Sequence, residues 1–337
     1  MDDMKNLTIQ DIAEKAGVSI KTVSRVFNNA PNVRQQKRDL VLGVARELGY
    51  RPNISARQLA SKRSFVLIHF YDNPNMDYLS GIYDGMRAAC SEKGYYAVAE
   101  RLSLHNRSYK DSLLDYLTRT PVDGVILSPP ISDDKAVIRE IEKRNIPCSL
   151  ISPGIKKRHC INVFIDEKTA GRKMTEFLIA RGHTKLAFIS GLDTHTASSQ
   201  REAGFWSAIE AHGLKRKDMV RIGGDFSMQS GFAAFEKLAK SKTKVTGVFA
   251  GNDEMAIGTI IAALRAGMKV PEDISVVGFD DSAFARSMWP PITSLAQPIG
   301  EMAGLSAKKL IDWIDTKERA ENNFEFPTEI MVRDSCP

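Results

Sequence analysis

Short apolar runs alternate with amphipathic stretches along the chain from about residue 64 to its end. The runs are rich in β-branched and aromatic residues, as in 65–71, 124–128 and 146–152, and the stretches between them carry apolar residues at helical spacing. Strands that alternate with helices form parallel sheets covered by helices. The alternation runs over 65–165 and starts again at 185. It therefore predicts an α/β body with two lobes and a ligand cleft between them.

Composition excludes several other classes of protein. The chain has 337 residues, of which 43% are hydrophobic and 26% charged, as in globular proteins that bury a full core. No apolar stretch approaches the roughly 18 residues of a membrane helix, and the acidic start lacks the features of a secretory signal. We therefore expect a cytoplasmic protein that makes no use of a membrane. The cysteines lack metal-binding or paired spacing, so we expect reduced thiols and neither a metal nor a cofactor.

The excess positive charge is confined to the start of the chain. Residues 1–63 hold 12 Lys and Arg against 6 Asp and Glu, whereas the other 274 residues hold 35 of each sign. This asymmetry is typical of a small polyanion-binding module attached to a neutral body. An ordinary solvated basic face is the alternative that the charge alone leaves open.

Two short helices joined by a glycine turn are predicted in this basic segment. Thr8 and Ser19 are capping residues, and Gly17 can take the positive φ of a tight turn. A third helix near 34–48 completes a helix-turn-helix, with Leu40, Val41, Val44 and Leu48 at core spacing.

The second of these helices has two chemically different faces. Thr22, Val23, Val26 and Phe27 share the packing arc, and the opposite arc carries Ile20, Lys21, Ser24, Arg25 and Asn28. Arg and Lys can donate to guanine, Asn can pair with adenine and Ile can contact a thymine methyl group. A helical bundle that binds nothing is the alternative, but a bland solvated helix would rarely carry this set. The second helix is therefore predicted to enter the major groove of DNA.

Five runs then match a known pattern: 7–13, 16–19, 22–26, 48–53 and 56–59. They resemble the lactose-repressor (LacI/GalR) family of bacterial transcription factors. The resemblance implies a DNA-binding domain over 1–63, whose segment 54–61 becomes a hinge helix when two subunits meet on DNA. Leu59 would then wedge into the minor groove, whereas in the free protein the segment is expected to be a disordered linker. The DNA-contacting candidates are Thr8, Ser19, Ile20, Lys21, Thr22, Ser24, Arg25, Asn28, Arg57 and Leu59.

The remaining chain resembles the family's effector domain, which looks like a periplasmic sugar-binding protein. Ligands of open α/β sheets bind beyond the carboxyl ends of the strands, where four motif residues are expected. By the resemblance, Arg201, Asn252 and Asp280 hydrogen-bond a small polar effector, such as a sugar or sugar derivative, and Phe226 stacks on its apolar face. The alternatives are that Phe226 is a core residue and that the two short polar side chains only cap helices or turns.

The first lobe is expected to close the cleft with its loop 71–78, which adds Tyr71, Asp72 and Tyr78 as contact candidates. The effector domain is predicted over 64–337, with one lobe at about 64–164 and 297–323 and the other at about 165–296 and 324–337. Three passages of the chain between lobes predict a hinge motion. No leucine-heptad segment follows residue 337, so we expect a homodimer on a pseudo-palindromic operator.

Two other classes of protein remain as alternatives. A sugar-binding transport protein would explain the body but would need an export signal and would not use the basic helix-turn-helix. An α/β enzyme with a regulatory DNA module should carry a nucleophile, a base or a metal cluster, and the sequence has no hydrolase, zinc-protease, Walker or dinucleotide motif. A transcriptional regulator without enzymatic activity, most simply a repressor, is the function that the sequence favours.

Overall fold

The computed structural model describes residues 7–27, 32–50, 58, 61, 63–73, 75–103, 106, 108–318 and 321–337. The chain divides into two compact units, Met1–Ser64 and Phe65–Pro337. Of the residues predicted to contact DNA, Asn28, Arg57 and Leu59 lie outside the described ranges, as does most of the predicted hinge segment.

The N-terminal unit contains three helices: α1 (Ile9–Ala16), α2 (Ile20–Phe27) and α3 (Gln35–Glu47). Helix α1 begins with a capping box, in which the Asp11 amide donates to Thr8 Oγ1 at 3.4 Å and the Thr8 amide donates to Asp11 Oδ2 at 2.7 Å. It ends at Gly17, whose φ of 62° is the left-handed conformation that glycine adopts without strain. These contacts produce the tight turn into α2 that the sequence predicted.

A small apolar core holds the three helices together. Val23 and Val26 of α2 are buried against Val41 and Val44 of α3, together with the small apolar residues of α1. The predicted role of Leu40 is wrong, because its side chain is 49% exposed. It lies roughly 100° around the helix from Val41, and Ala45 takes the core position instead.

The second unit alternates strands and helices in the predicted manner. Its first half contains β1 (Val66–Tyr71), α4 (Met76–Lys93), β2 (Tyr96–Arg101), α5 (Tyr109–Arg119), β3 (Gly124–Leu127), α6 (Lys135–Lys143), β4 (Cys148–Ile151) and β5 (Ile161–Phe164). Then follow α7 (Glu167–Ala180), β6 (Leu186–Ser190), α8 (Thr196–Ala211), β7 (Val220–Gly223), α9 (Met228–Ala239), β8 (Gly247–Ala250), α10 (Asp253–Arg265) and β9 (Ser275–Asp280). The last elements are α11 (Ala283–Ser287), β10 (Thr293–Ala296), α12 (Ile299–Thr316), β11 (Asn323–Glu325) and β12 (Glu329–Met331).

These strands form two six-stranded sheets with the same order. The first lobe has β2-β1-β3-β4-β5-β11, with every pair parallel, and the second has β7-β6-β8-β9-β10-β12, in which only the last pair is antiparallel. In each sheet the strand order reverses about the first strand, which places the ligand crevice at the carboxyl ends there. The α/β fold class with two parallel sheets is confirmed.

The chain crosses between the sheets three times, after β5, after β10 and after β11. The sequence reading missed β10 and β11 as strands. Strand β11 pairs with β5, with Asn323 opposite Asn162, so the first lobe extends to residue 325, two residues beyond the predicted boundary at about 323. The final strand covers only Glu329–Met331, and residues 326–328 form the third crossing.

Two further expectations concern the whole chain. None of the helices in the described ranges combines the length and the apolar character that a membrane crossing requires. The side chains of all four cysteines are buried.

Candidate functional site

The outward face of α2 is the candidate DNA-reading surface. Ile20 is 45% exposed, and Lys21 and Arg25 are also exposed, whereas Val23 and Val26 are completely buried. Ser24, which was predicted on the outward arc, is only half-buried. The division of the helix into a packing face and an exposed basic face therefore agrees with the sequence prediction.

Ser19 and Thr22, two other predicted DNA contacts, also serve the helix itself. The Thr22 amide donates to Ser19 Oγ at 3.2 Å, and the two hydroxyl groups lie 2.9 Å apart. Ser19 thus caps α2, as Thr8 caps α1. A phosphate contact by either cap would come from a side chain that the local hydrogen bonds already orient.

A cavity lies between the lobes, where the carboxyl ends of the strands of both sheets meet. It contains about 400 Å³ of space that no protein atom fills, part of it open to solvent. Five predicted effector contacts line it: Tyr78, Arg201, Phe226, Asn252 and Asp280. Asn73 and Asn75, from the loop 71–78 that was expected to close the cleft, also line it, although they were not among the named contact candidates. The remaining lining residues were not predicted: Pro129, Ser152, Glu167, His195, Ala197 and Gln297.

Arg201 is held in one orientation by its neighbours. Its Nε donates to Glu167 Oε2 at 2.7 Å, its Nη2 to Glu167 Oε1 at 3.3 Å and its Nη1 to the Gly251 carbonyl at 2.7 Å. The guanidinium carbon lies 3.5 Å from the centroid of the Phe279 ring. The bidentate pair is desolvated, since the two side chains are only 6% and 11% exposed.

Asp280 faces Arg201 across the cavity from the end of β9. Burial raises the pKa of the Asp280 carboxyl to about 7, although the positive charge of Arg201 opposes the shift. Gln297, at the second lobe crossing, donates from Nε2 to Asp280 Oδ1 at 2.5 Å. The other amide atom of Gln297, Oε1, is buried without a hydrogen-bond partner. A buried acceptor of this kind is available to a hydrogen-bond donor of a ligand.

Asn252 and Phe226 line the cavity and are joined by a hydrogen bond. Asn252 Oδ1 caps α10 by accepting from the Met255 amide at 3.0 Å, and Nδ2 donates to the Phe226 carbonyl at 3.0 Å. The second bond fixes a residue with φ of 69°, an unfavourable conformation for phenylalanine. A Cβ at Gly191 would lie 2.0 Å from the Phe226 ring, so glycine is required beneath it. The predicted alternatives are therefore realised alongside the cavity contact: Asn252 is a helix cap and Phe226 is 7% exposed within the core.

Two predicted contacts from the first lobe do not line the cavity. Tyr71 is the last residue of β1 and lies 5.7 Å from His69, measured between ring centroids. Asp72 accepts from Arg101 Nε at 3.4 Å, which turns its carboxylate toward the neighbouring strand β2. The loop instead contributes Asn73 and Asn75, and Asn75 caps the helix that carries Tyr78. Burial, with the nearby carboxylates of Asp280 and Glu167, raises the pKa of the Tyr78 phenol, so the group stays protonated.

Two of the lining residues that were not predicted also follow the ends of strands. Glu167 comes just after β5 and Gln297 directly after β10, so the rule that ligands bind beyond strand ends would have found both. His195 carried no such signal; burial lowers its pKa to about 4, so the ring is neutral. Within the ranges that the structure describes, no group of three His, Cys, Asp or Glu side chains could hold a metal ion.

Comparison with known proteins places this geometry in a family. Residues 8–53 match the family model for bacterial regulatory proteins of the lacI family, and residues 175–336 match a periplasmic binding protein-like domain. The chain is 34% identical over 331 residues, 98% of both chains, to a probable HTH-type transcriptional repressor, ExuR, of Bacillus subtilis (strain 168). The chain belongs to the lacI family. Another member, catabolite control protein A of Priestia megaterium, is 30% identical over 98% of this chain and 99% of its own.

Solved structures of the lacI family match the whole chain. A complex of the transcriptional regulator CelR with cellobiose has a TM-score of 0.74 and 30% identity, covering 98% of this chain and 99% of its own. The lac repressor dimer bound to operator and the anti-inducer ONPF has a TM-score of 0.76 and 27% identity, with the same coverage. The chain is a DNA-binding transcriptional regulator of this family.

The raised pKa of Asp280 predicts that replacing this residue stabilises the protein in a pH-dependent way. The folded protein resists ionising Asp280 below about pH 7, whereas the ordinary pKa of an aspartate carboxyl is 3.8. Wild type therefore loses stability as the pH rises between these values, and Asp280→Asn does not. We expect the difference in unfolding free energy to grow from near zero at pH 4 to about 2 kcal/mol at pH 8, allowing for partial exposure.

Thermal melting of both proteins at intervals of pH tests this expectation. Asp84→Asn removes a carboxylate that is 68% exposed and serves as the control, with no such trend expected. A stability difference for Asp280→Asn that stays constant or shrinks as the pH rises would contradict the assignment.

Proposed function

We propose that this chain represses transcription by binding a pseudo-palindromic operator as a homodimer, and that a small polar effector in the interlobe cleft changes its operator affinity. The observation that carries the proposal is the exposed basic face of α2 in a chain whose second unit encloses the cleft. Binding at a cleft and binding at DNA are thereby joined in one polypeptide.

The N-terminal unit carries side chains on α2 that can recognise DNA bases. Arg25 and Lys21 are exposed on α2 beside Ile20, and the packing face of the same helix is buried in a rigid three-helix core. Donors to guanine and an apolar contact for thymine are presented together, which is how recognition helices discriminate base pairs. The surplus of basic residues over 1–63 supplies the attraction to phosphates.

The cleft supports a small hydroxylated effector, by analogy with the cellobiose complex of the relative described above. The amide groups of Asn252 and Gln297 and the carboxyl of Asp280 line the same cavity as the Phe226 ring. A sugar presents both hydroxyl groups and an apolar face, and it would satisfy this combination. The polar side chains of the cleft are hydrogen-bonded to other residues of the protein, and we propose that the cleft binds its ligand without catalysing a reaction. Incubation with candidate sugars, followed by analysis for products, tests this point.

Coupling between the cleft and the operator follows from lobe closure. Three crossing segments allow the lobes to move as a hinge, and closure would change the spacing of the two hinge segments of a dimer. The coupling is reciprocal, so an effector that weakens operator binding tenfold is weakened tenfold by operator, about 1.4 kcal/mol. A regulator acting in this way on chromosomal operators works in the cytoplasm.

Exposed apolar side chains of the second lobe support the dimer. Helix α10 exposes Ile261 and Leu264, which are 38% and 45% accessible, and the adjacent α11 exposes Phe284 at 65%. Trp289, just beyond α11, is 80% exposed. Apolar groups of this size are typical of surfaces that a partner subunit covers.

The base-reading role of Arg25 predicts a position-specific loss of affinity. An operator is first selected from a random double-stranded library, and binding of its single-base variants is then titrated at fixed salt. Arg25→Ala should cost roughly 1–3 kcal/mol on the selected operator and abolish discrimination at one base pair of each half-site.

Arg46→Ala is the matched control for this experiment, because it removes an exposed charge from α3. It should weaken all operator variants by a similar factor, through the loss of phosphate attraction alone. A uniform loss across the variants with Arg25→Ala as well would contradict base reading by α2.

The dimer surface predicts that Trp289→Ala weakens self-association. Truncating a large aromatic group at an interface commonly costs about 2 kcal/mol, so we expect a dimer dissociation constant at least tenfold higher, measured by sedimentation equilibrium. Ile155→Ala removes an apolar side chain that is 60% exposed on the first lobe and should leave the constant unchanged. Equal constants for wild type and Trp289→Ala would place the interface elsewhere.

A further inference from the structure

Two cysteines of the first lobe occupy neighbouring positions on paired strands. Ser149 of β4 lies opposite Ile161 of β5 in a parallel pair. Cys148 and Cys160 each come one residue earlier, so they are the next neighbours along the two strands. Both belong to the apolar cluster that includes the buried face of α6, so their side chains lie on the same side of the sheet.

This placement suits a disulfide bond. Neighbouring strands lie about 4.8 Å apart. Disulfides join residues whose Cα atoms are about 4.4–6.8 Å apart, so the spacing of paired strands falls within that range. The backbone therefore brings Cys148 and Cys160 close enough to be linked without a change of fold.

The two thiols also interact directly. A hydrogen bond with Cys160, together with burial, raises the pKa of the Cys148 thiol well above its usual range. Cys90 and Cys336 belong to a different apolar cluster, and burial is the main cause of the raised pKa of each. Cys148 and Cys160 thus form a dithiol, and the other two cysteines lie apart from it.

A cavity on the first lobe gives small molecules access to this dithiol. It contains about 1170 Å³ of space that no protein atom fills, part of it open to solvent. It lies between α6, the amino-terminal ends of β4 and β5, and the end of α12. Cys148 and Cys160 line it beside the apolar side chains of Ile138, Ile146 and Trp313. A reagent that enters the cavity therefore meets both cysteines, although their residues are only 3% and 4% exposed.

The same cavity is lined by a surplus of positive charge. Lys157, Arg158 and Lys317 contribute three cationic side chains. Glu142 is the one acidic residue among the described lining residues, and its Oε1 lies 3.6 Å from Nε2 of His159. A concave surface of one charge sign raises the local concentration of small molecules of the opposite sign. The cavity therefore favours a reagent that carries negative charge.

We propose that Cys148 and Cys160 form a thiol–disulfide exchange site, at which a negatively charged low-molecular-weight disulfide converts the two thiols into an intramolecular disulfide. One protein thiolate attacks a sulfur of the reagent, forms a mixed disulfide and releases half of the reagent. The second protein thiolate attacks the cysteine sulfur of the mixed disulfide and releases the other half. The two cysteines lose two electrons and two protons, and the reagent takes them up and leaves as two thiols.

The products of the reaction test the proposal on the full-length, fully reduced protein. Oxidised glutathione is the reagent, at mildly alkaline pH, where more of each thiol is ionised. Intact mass should fall by two hydrogen atoms, and peptide mapping without reduction should join Cys148 to Cys160. No reaction, a stable glutathione adduct on either cysteine, or a disulfide that includes Cys90 or Cys336 would overturn the proposal.

Single substitutions check the two-step route. With Cys148→Ser or Cys160→Ser, the second attack is lost, so at least one of these variants should retain one glutathione as a stable mixed disulfide. Cys90→Ser is the matched control and should form the intramolecular disulfide as wild type does. Retention of glutathione by neither Cys148→Ser nor Cys160→Ser would contradict exchange at this site. Mapping of the wild-type product decides the proposal even if a variant fails to fold.

The charge of the reagent tests the role of the basic side chains. Rates with oxidised glutathione and with cystamine, a positively charged disulfide, are each divided by the rate of the same reagent with 2-mercaptoethanol. We expect the corrected rate to be at least about tenfold higher for oxidised glutathione, and the ratio to fall at high salt.

A double variant assigns this preference to the cavity. Lys157→Gln with Arg158→Gln should reduce the ratio several-fold, whereas Lys237→Gln with Lys240→Gln, which removes two exposed charges from the end of α9, should leave it unchanged. Equal corrected rates for the two reagents in wild type, or an equal fall in both double variants, would overturn the selection of a negatively charged reagent by this cavity.

Discussion

Parallel pairing of the strands is the constraint on which the effector domain depends. Both sheets share one order, so the carboxyl ends of their strands meet at the same cleft and bring their following residues together. Glu167, Asn252, Asp280 and Gln297 come from four different strand ends, yet they line one cavity of about 400 Å³. The chemistry of the site is thus a consequence of topology, and each contributing residue is also tied to the local backbone.

These local hydrogen bonds orient the side chains that line the cleft before any ligand binds. Asn252 caps α10 and holds the Phe226 carbonyl, and Gln297 donates to Asp280 at the point where the chain crosses between lobes. Asp253, the next residue along from Asn252, is fully buried and accepts from Ser294 Oγ and the Ser282 amide, each at 2.6 Å. The loops around the cavity are therefore fixed by buried hydrogen bonds, and a ligand that satisfies Gln297 Oε1 would act on a preorganised site.

The N-terminal unit is held together by a much smaller core than the effector domain. Its buried core is a small cluster of Ile, Val and Ala side chains, and the Thr8 cap and the glycine turn add hydrogen bonds that help to position α1 and α2. The exposed face of α2 is left for charge and base recognition, which needs little packing. A basic DNA-binding domain and an effector domain with equal numbers of acidic and basic residues can therefore be joined in one chain, since neither needs the charge of the other.

The sequence by itself determined the fold class, the faces of α2, and five of the lining residues, because periodicity and the residues that follow strands are local signals. It could not determine which atoms were already paired: Asp72 turns to Arg101, and Arg201 is occupied by Glu167, across 34 residues of chain. Leu40 was wrongly predicted to be a core residue, and the short strands β10 and β11 were missed, for a related reason. The rotation of a helix and the pairing of an edge strand depend on contacts with distant segments of the chain. In the same way, only the tertiary structure shows that Glu167 is paired with Arg201 in the cleft.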